Sequence, residues 1–439
     1  MASRTIWRHA GDILRVSSGN FLEMYDFMIF GYYAPNISHA FFPTGNAFLS
    51  LMLALMTFGA GFLMRPIGAA VLGAYTDHHG RRKGLMLTLS LMAVGTLSLA
   101  CTPGYDRLGM MAPALVVLGR LIQGFSAGAE LGTVSVYLAE IAPPGRWGFF
   151  TSWQSASQQI AVVTAATTGL LLTARLSPGQ MAAWGWRVPL LLGCVLIPFL
   201  YLLRRSLAET DAYSQRIERL SVRKLFSRML GIWPIMAAGM LMVAMTTVTF
   251  YLITAYTPTF GRTVLNLSGR DSFFVTLCVG FSNFSWLIVM GAVSDRIGRR
   301  PLLVGATVLA FLTAYPAMRW LVAEPSFERL LVVELWLSFI FASYNGAMVP
   351  YLVEVVPPEV RAAGFSISYS LATAIFGGFT PAISTYLIHI TGDRAMPGGW
   401  VSLASLLGLV GALLLSRIVS RQARSQPRPA PPAAAEAKG

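Results

Sequence analysis

The sequence predicts an all-α membrane protein with twelve transmembrane helices in two pseudo-symmetric six-helix bundles. Three observations predict it. Of 439 residues, 55% are hydrophobic and only 12% are charged, against about 25% charged in an average soluble domain. Apolar runs recur from Ile13 to about Val419. Two motifs appear once in each half of the chain. The composition excludes a soluble globular protein and a disordered chain.

A helix needs about 20 apolar residues to cross a bilayer core. On that scale the spans fall at approximately 15–40, 47–76, 84–103, 111–140, 149–174, 187–204, 230–256, 272–295, 302–321, 328–355, 361–389 and 399–419. The longer ones tilt or extend past the bilayer. Twelve is even, so both termini share a side, and Lys and Arg decide which. With the N-terminus inside, 23 basic residues lie in cytoplasmic segments and eight outside; Arg65 and Arg120 remain within spans. Both termini are therefore expected in the cytoplasm. The net charge of +14 is spent on topology, which leaves no case for nucleic acid.

Residues 1–204 are the expected N-terminal bundle and 230–420 the C-terminal one. Between them, 205–229 carries charges of both signs at helical spacing, an expected amphipathic helix on the inner membrane surface. The tail, 421–439, is rich in Pro and Ala and is expected to be disordered. No signal-peptide pattern is expected at the N-terminus. Cys101, Cys194 and Cys278 sit in separate apolar runs, and the five histidines form no ligand pair. No metal site and no cofactor are expected.

GAYTDHHGRR at 73–82 matches GAVSDRIGRR at 291–300, and YLAEIAPPGR at 137–146 matches YLVEVVPPEVR at 351–361. Both matches fall at equivalent places in their halves, which indicates duplication of a six-helix unit. The G-x-x-x-D-x-x-G-R-R loop resembles the signature of the major facilitator superfamily. Within it, GRLIQGFSAGAELG and YLAEIAP resemble the metabolite–proton symporters. SGNFLEMYDFMIFGYYAPNI, GFLMRPIGAAVLGAYTD, TSWQSASQQIAVV, VAMTTVTFYLITAYTPTFGRTVLNLS and SLATAIFGGFTPAIS narrow it to the citrate and tricarballylate proton symporters of bacteria. The resemblance implies a secondary active transporter of the inner membrane, a monomer, that takes up a tricarboxylate with protons. Alternatives are tricarballylate, another organic anion or a zwitterionic osmolyte, and a metal–citrate complex is a conceivable substrate form. No nucleotide-binding loop or nucleophile–base set is present, so neither an enzyme nor an ATP-driven pump is expected.

The repeated loops read as a cytoplasmic gate. Gly73, Asp77, Gly80, Arg81 and Arg82 form one copy; Gly291, Asp295, Gly298, Arg299 and Arg300 form the other. Each Asp can accept from a helix N-terminus and pair with an Arg. Glu140 with Arg146, and Glu354 with Arg361, either extend this network or pair on the surface.

Ionisable groups inside spans are costly and mark function. Glu23 and Asp26 share one helical face and are candidates for proton coupling. Arg65, about 18 Å from Asp77 along the helix, has either a substrate carboxylate or Glu23, Asp26 or Glu130 as partner. Span four shows two stripes: Arg120, Gln123 and Glu130 on a polar face, and Gly124, Gly128 and Gly132 on a packing face. Glu130 is either a proton site or a counter-ion. Gln154 and Gln158 share a face of span five, with Gln159 beside it, and turn inward, where they either line the substrate cavity or hydrogen-bond helices together.

The repeat then sets Asn283 against Arg65, Tyr344 against Glu130, Glu334 against Arg120, Tyr369 against Gln154, and Thr246 and Thr249 against Glu23 and Asp26. The N half is expected to bind protons and anionic charge. The C half is expected to supply hydroxyls and amides from Thr246, Thr249, Asn283, Tyr344 and Asn345. Glu334, near the start of span ten, is expected at the outer interface. Gly377, Gly378 and Pro381 read as a gating bend in span eleven.

Overall fold

A computed structural model describes residues 19–79, 81–128, 130–205 and 228–425. Among these residues the secondary structure is helical and forms twelve long segments. They are span 1 (Gly19–Tyr32, then Ala34–Phe41), span 2 (Ala47–Leu63, then Arg65–His79) and span 3 (Arg81–Cys101). Span 4 is Met111–Ala127 with Glu130–Glu140, span 5 is Trp147–Arg175, and span 6 is Val188–Arg205. The second half comprises span 7 (Trp233–Tyr251, Leu252–Tyr256, Thr257–Thr263), span 8 (Gly269–Ile297), span 9 (Arg299–Ala323) and span 10 (Phe327–Val355). Span 11 (Arg361–Ala372, Thr373–Gly377, Thr380–Thr391) and span 12 (Met396–Ser425) complete it. The expected linker helix and most of the expected disordered tail lie outside the described residues.

Seven of these helices are long and apolar enough to cross a membrane by length and composition, and three shorter apolar ones join them. Spans 1 and 5 fall short because they are the polar ones: Glu23 and Asp26 interrupt span 1, and TSWQSASQQ interrupts span 5. Large apolar side chains such as Leu118, Val195, Phe281 and Leu312 point outward, while Arg120, Gln154, Asn283 and Asn345 are buried. That inside-out arrangement suits a chain solvated by lipid.

Helix starts are chemically marked. The Asn46 side chain accepts from Phe48 and Leu49 N–H, and Ser268 and Ser326 cap spans 8 and 10 in the same way. These caps satisfy N–H groups that have no partner within the helix.

Packing repeats between the halves. Span 1 packs on 5 as 7 packs on 11; 2 on 4 as 8 on 10; 3 on 6 as 9 on 12. Spans 1 and 7 also break in equivalent places, before Pro35 and before Pro258. In span 7 the break is a π-helical turn at Leu252–Tyr256, and span 11 has another at Thr373–Gly377. The second sits at the expected bend, where Gly378 and Pro381 follow it.

The small-residue stripe of span 4 packs as its spacing predicts. A Cβ on Gly124 or Gly128 would run into the backbone of span 2 at Gly61 or Arg65. The halves meet at both ends: spans 5 and 8 and spans 4 and 11 at the end carrying the Asp295 motif, spans 1 and 7 and spans 2 and 11 at the other.

Candidate functional site

Four charged residues of the first half converge between spans 1, 2 and 4. Arg65 Nη2 and Glu23 Oε1 form an ion pair at 2.5 Å, both groups buried. Asp26 accepts from the Thr96 hydroxyl and, at 3.3 Å, from Gln123 Nε2. Gln123 Oε1 in turn accepts from Arg120 Nη1 at 2.8 Å. Arg120 and Asp26 are thus connected through a neutral amide and form no direct ion pair. The spacing of Arg120 and Gln123, three residues apart on one helix, makes this relay possible.

Hydrogen bonding leaves donors over. Arg120 is 0% exposed, yet its Nε and Nη2 have no hydrogen-bond partner, and neither has Arg65 Nε. Asp26 Oδ1 is likewise buried and unpartnered. Aromatic faces fill the space around the guanidiniums. Arg120 Cζ stands 4.3 Å from the Phe27 ring centre and 4.6 Å from that of Phe30. Arg65 Cζ stands 4.8 Å from Phe27 and 4.7 Å from Phe62. Such contacts hold a cation out of water at low cost while leaving its N–H edge open. Tyr251 packs edge-on against Phe58 and Phe62, bringing a second-half hydroxyl within electrostatic reach of Arg65, Glu23 and Arg120. Tyr369 comes within reach of Arg65 and Glu23.

The second half offers neutral groups. The Thr246 and Thr249 hydroxyls and Asn345 Oδ1 are buried without hydrogen-bond partners. Asn283 donates to Gln159 Oε1 at 3.2 Å and accepts from Ser338 at 2.7 Å, a polar chain across the two halves. Gln154 accepts from Ser155, while its own amide nitrogen is unpartnered. Gln158 is buried next to these residues in span 5. Tyr344 is placed differently: its hydroxyl donates to the Met242 carbonyl at 2.9 Å, and its ring belongs to the packing core of the second half. The Glu130 side chain lies outside the described residues.

Glu334, expected at the outer interface, is buried within the protein. It is 3% exposed, its Oε1 accepts from the Thr257 hydroxyl at 2.9 Å, and its Oε2 has no partner. Thr257 of span 7 covers it there.

At the motif end, Asp295 accepts from the backbone N–H groups of Gly148 at 2.7 Å and Phe149 at 2.9 Å. These are the free N–H groups at the start of span 5, so a span 8 carboxylate caps a helix of the other half. Arg299 bridges Asp295 and Glu354, 2.8 Å from each. The contact needs glycine on both sides, since a Cβ on Gly291 would sit 2.5 Å from the Gly148 carbonyl. Gly298, at φ 88°, makes the turn into span 9. Arg361 lies over the Trp147 ring, while Glu140, Arg146 and Arg300 are exposed. Gly80, the surroundings of Gly73, and the side chains of Asp77, Arg81 and Arg82 lie outside the described residues.

Several contributors escaped the sequence analysis. Phe27, Phe30, Phe58 and Phe62 looked like ordinary core, although Phe58 and Phe62 stand four apart just before Arg65. Thr96 gave no signal beyond being polar in an apolar run.

The model of the family described as sugar (and other) transporter matches residues 13–219 and 203–392. The chain belongs to that family of the major facilitator superfamily. It is 58% identical to a citrate-proton symporter of Salmonella typhi, covering 94% of this chain and 95% of that one. It is 33% identical to the alpha-ketoglutarate permease of Escherichia coli (strain K12), over 94% of both. A crystal structure of a D-xylose-proton symporter superposes with a TM-score of 0.73, at 17% identity, over 92% of this chain and 96% of that one. That last likeness concerns the fold. These relatives are transporters, and this chain is a multi-pass membrane transporter, not an enzyme.

Proposed function

We propose that the chain takes up a tricarboxylate, citrate first, together with protons, across the bacterial inner membrane. Both termini and the Asp295 motif then face the cytoplasm, as the basic-residue count favours. One observation carries the reading: two buried arginines with unused N–H donors, one wired to a buried aspartate through a glutamine. The names of the 58% identical relatives, in Salmonella typhi and Klebsiella pneumoniae, point the same way.

The coupling follows from charge counting. With Glu23 and Asp26 both ionised, they cancel Arg65 and Arg120. A proton on Asp26 leaves one positive charge in a site of low dielectric. That charge is costly without an anion, and the free guanidinium edge offers paired N–H bonds to a carboxylate. Proton and anion therefore favour each other's binding. Import of a trivalent anion into a negative-inside cell is opposed by about 2.3 kcal/mol per charge per 100 mV, which co-transported protons offset. Thr246, Thr249 and Asn345 supply neutral hydrogen bonds from the other half. The transporting unit is a monomer, and rocking of the halves exposes the site to each side in turn.

The test is uptake of radiolabelled citrate into proteoliposomes under an inward proton gradient, with and without magnesium. Gradient-driven accumulation that a protonophore collapses is expected. Uptake insensitive to the protonophore would overturn the coupling, and competition by betaine but not by tricarboxylates would overturn the substrate class.

A further inference from the structure

Glu334 is a buried acid in the second half that the coupling scheme above leaves unused. It stands seven residues into span 10, about 10 Å from the outer end of that helix. Among the described residues its hydrogen-bond partner is the Thr257 hydroxyl, and it forms no ion pair. The ionisable residues on the outer parts of the elements packed against span 10 are Arg175, Tyr256, Arg262, Arg270, Asp271, Tyr315 and Arg319. Tyr256 is hydrogen-bonded to Thr385 and Tyr315 to Asp393, while Arg270 and Asp271 begin span 8 at its outer end. None of the five cations and acids among them forms an ion pair with Glu334.

Thr257 sits where span 7 breaks. In the five-residue register of the π-turn, the N–H due to the Ile253 carbonyl would come from residue 258. That residue is proline and has none. The Thr257 hydroxyl takes its place, 3.0 Å from the Ile253 carbonyl and 3.2 Å from that of Leu252. A hydroxyl has one hydrogen, so Thr257 cannot serve both the break and an ionised Glu334. A protonated Glu334 resolves the conflict: it donates to the Thr257 oxygen, and Thr257 donates to the Ile253 carbonyl.

The same stretch forms the outer contact between the halves. A Cβ on Gly31 of span 1 would lie 3.0 Å from the Ala255 carbonyl. The Thr259 hydroxyl donates to the Gly31 carbonyl at 3.1 Å.

We propose that Glu334 is a second proton-responsive group, a positioning residue that closes the outer gate through the hydrogen shared by Thr257 and the break in span 7. The proton comes from the outer aqueous phase while the gate is open, forming an O–H bond on the carboxylate. The closed break is then fully hydrogen-bonded. An ionised Glu334 withdraws the Thr257 hydrogen and leaves a buried carbonyl unsatisfied, which favours the open, hydrated form. The purpose of the device rests on the proton-coupled reading above; its operation does not require citrate.

The test uses the full chain in proteoliposomes without substrate, Cys101, Cys194 and Cys278 being replaced by Ser. Thr259→Cys is the probe, since Thr259 is buried and an impermeant maleimide reaches it only when span 7 parts from span 1. Variants are compared at the same outside pH, which cancels thiol ionisation. From pH 6 to pH 8 the parent should gain about five-fold in labelling rate over Glu334→Gln. Glu334→Gln should stay slow throughout, and Thr257→Val should lose the pH response. Retention of the parent's pH profile in either variant overturns the proposal. If Glu334→Gln does not fold, as judged by gel filtration, Thr257→Val decides alone. Loss of citrate uptake in the earlier assay would leave this result standing.

Discussion

The two halves share a helix plan but not a chemistry. Where the first half has Arg65, Glu23 and Asp26, the second has Asn283, Thr246 and Thr249. The first half builds a balanced set of four buried charges, held by an ion pair and a glutamine relay. The second presents hydroxyls and an amide oxygen without hydrogen-bond partners. Duplication preserved helix packing, which depends on small residues and length. It did not preserve the site, because one pair of buried guanidiniums suffices to hold an anion and a second would have to be neutralised at high cost.

The largest effect should come from the charged half. Arg65→Ala or Arg120→Ala removes a buried cation from its partners, a loss of about 3 kcal/mol or more, or at least about 100-fold in citrate uptake. Gel filtration should still show folded protein, and uptake above a tenth of the parent rate would break the contrast between the halves. Asp26→Asn comes next. It fixes the protonated charge state, so gradient-driven accumulation should vanish while citrate counterflow persists, with less dependence on pH. Counterflow that falls together with accumulation would assign Asp26 to substrate binding instead.

The neutral half should respond more mildly. Thr249→Ala or Asn345→Ala, made singly, removes a hydrogen bond worth about 0.5–1.5 kcal/mol. Initial-rate kinetics should show the citrate KM raised about three- to ten-fold with kcat little changed. Tyr344→Phe should do least: about 1 kcal/mol of stability, read as a lower thermal midpoint, and no change in uptake. A raised KM there would return Tyr344 to the site.

Much of this was readable from residue order. Span positions, the duplicated motifs and the intramembrane charges all follow from local composition. Pairing within the cluster did not. Glu23 and Asp26 share a helical face, yet Glu23 meets Arg65 while Asp26 turns to Thr96 and Gln123. The aromatic surround was invisible because phenylalanine is expected everywhere in a membrane helix. The burial of Glu334 was not readable because it depends on span 7, not on its own helix.

The sequence by itself determined the twelve helices, the inside-out polarity and the repeat. Lipid imposes those constraints one segment at a time: backbone hydrogen bonds close within each helix, and charges are excluded unless they are used. Only the tertiary structure decided which acid neutralises which arginine, that Asp295 caps a helix of the opposite half, and that the Thr257 hydrogen lies between Glu334 and the break in span 7. These are contacts between residues far apart in the chain, set by how helices cross, and no local pattern encodes them.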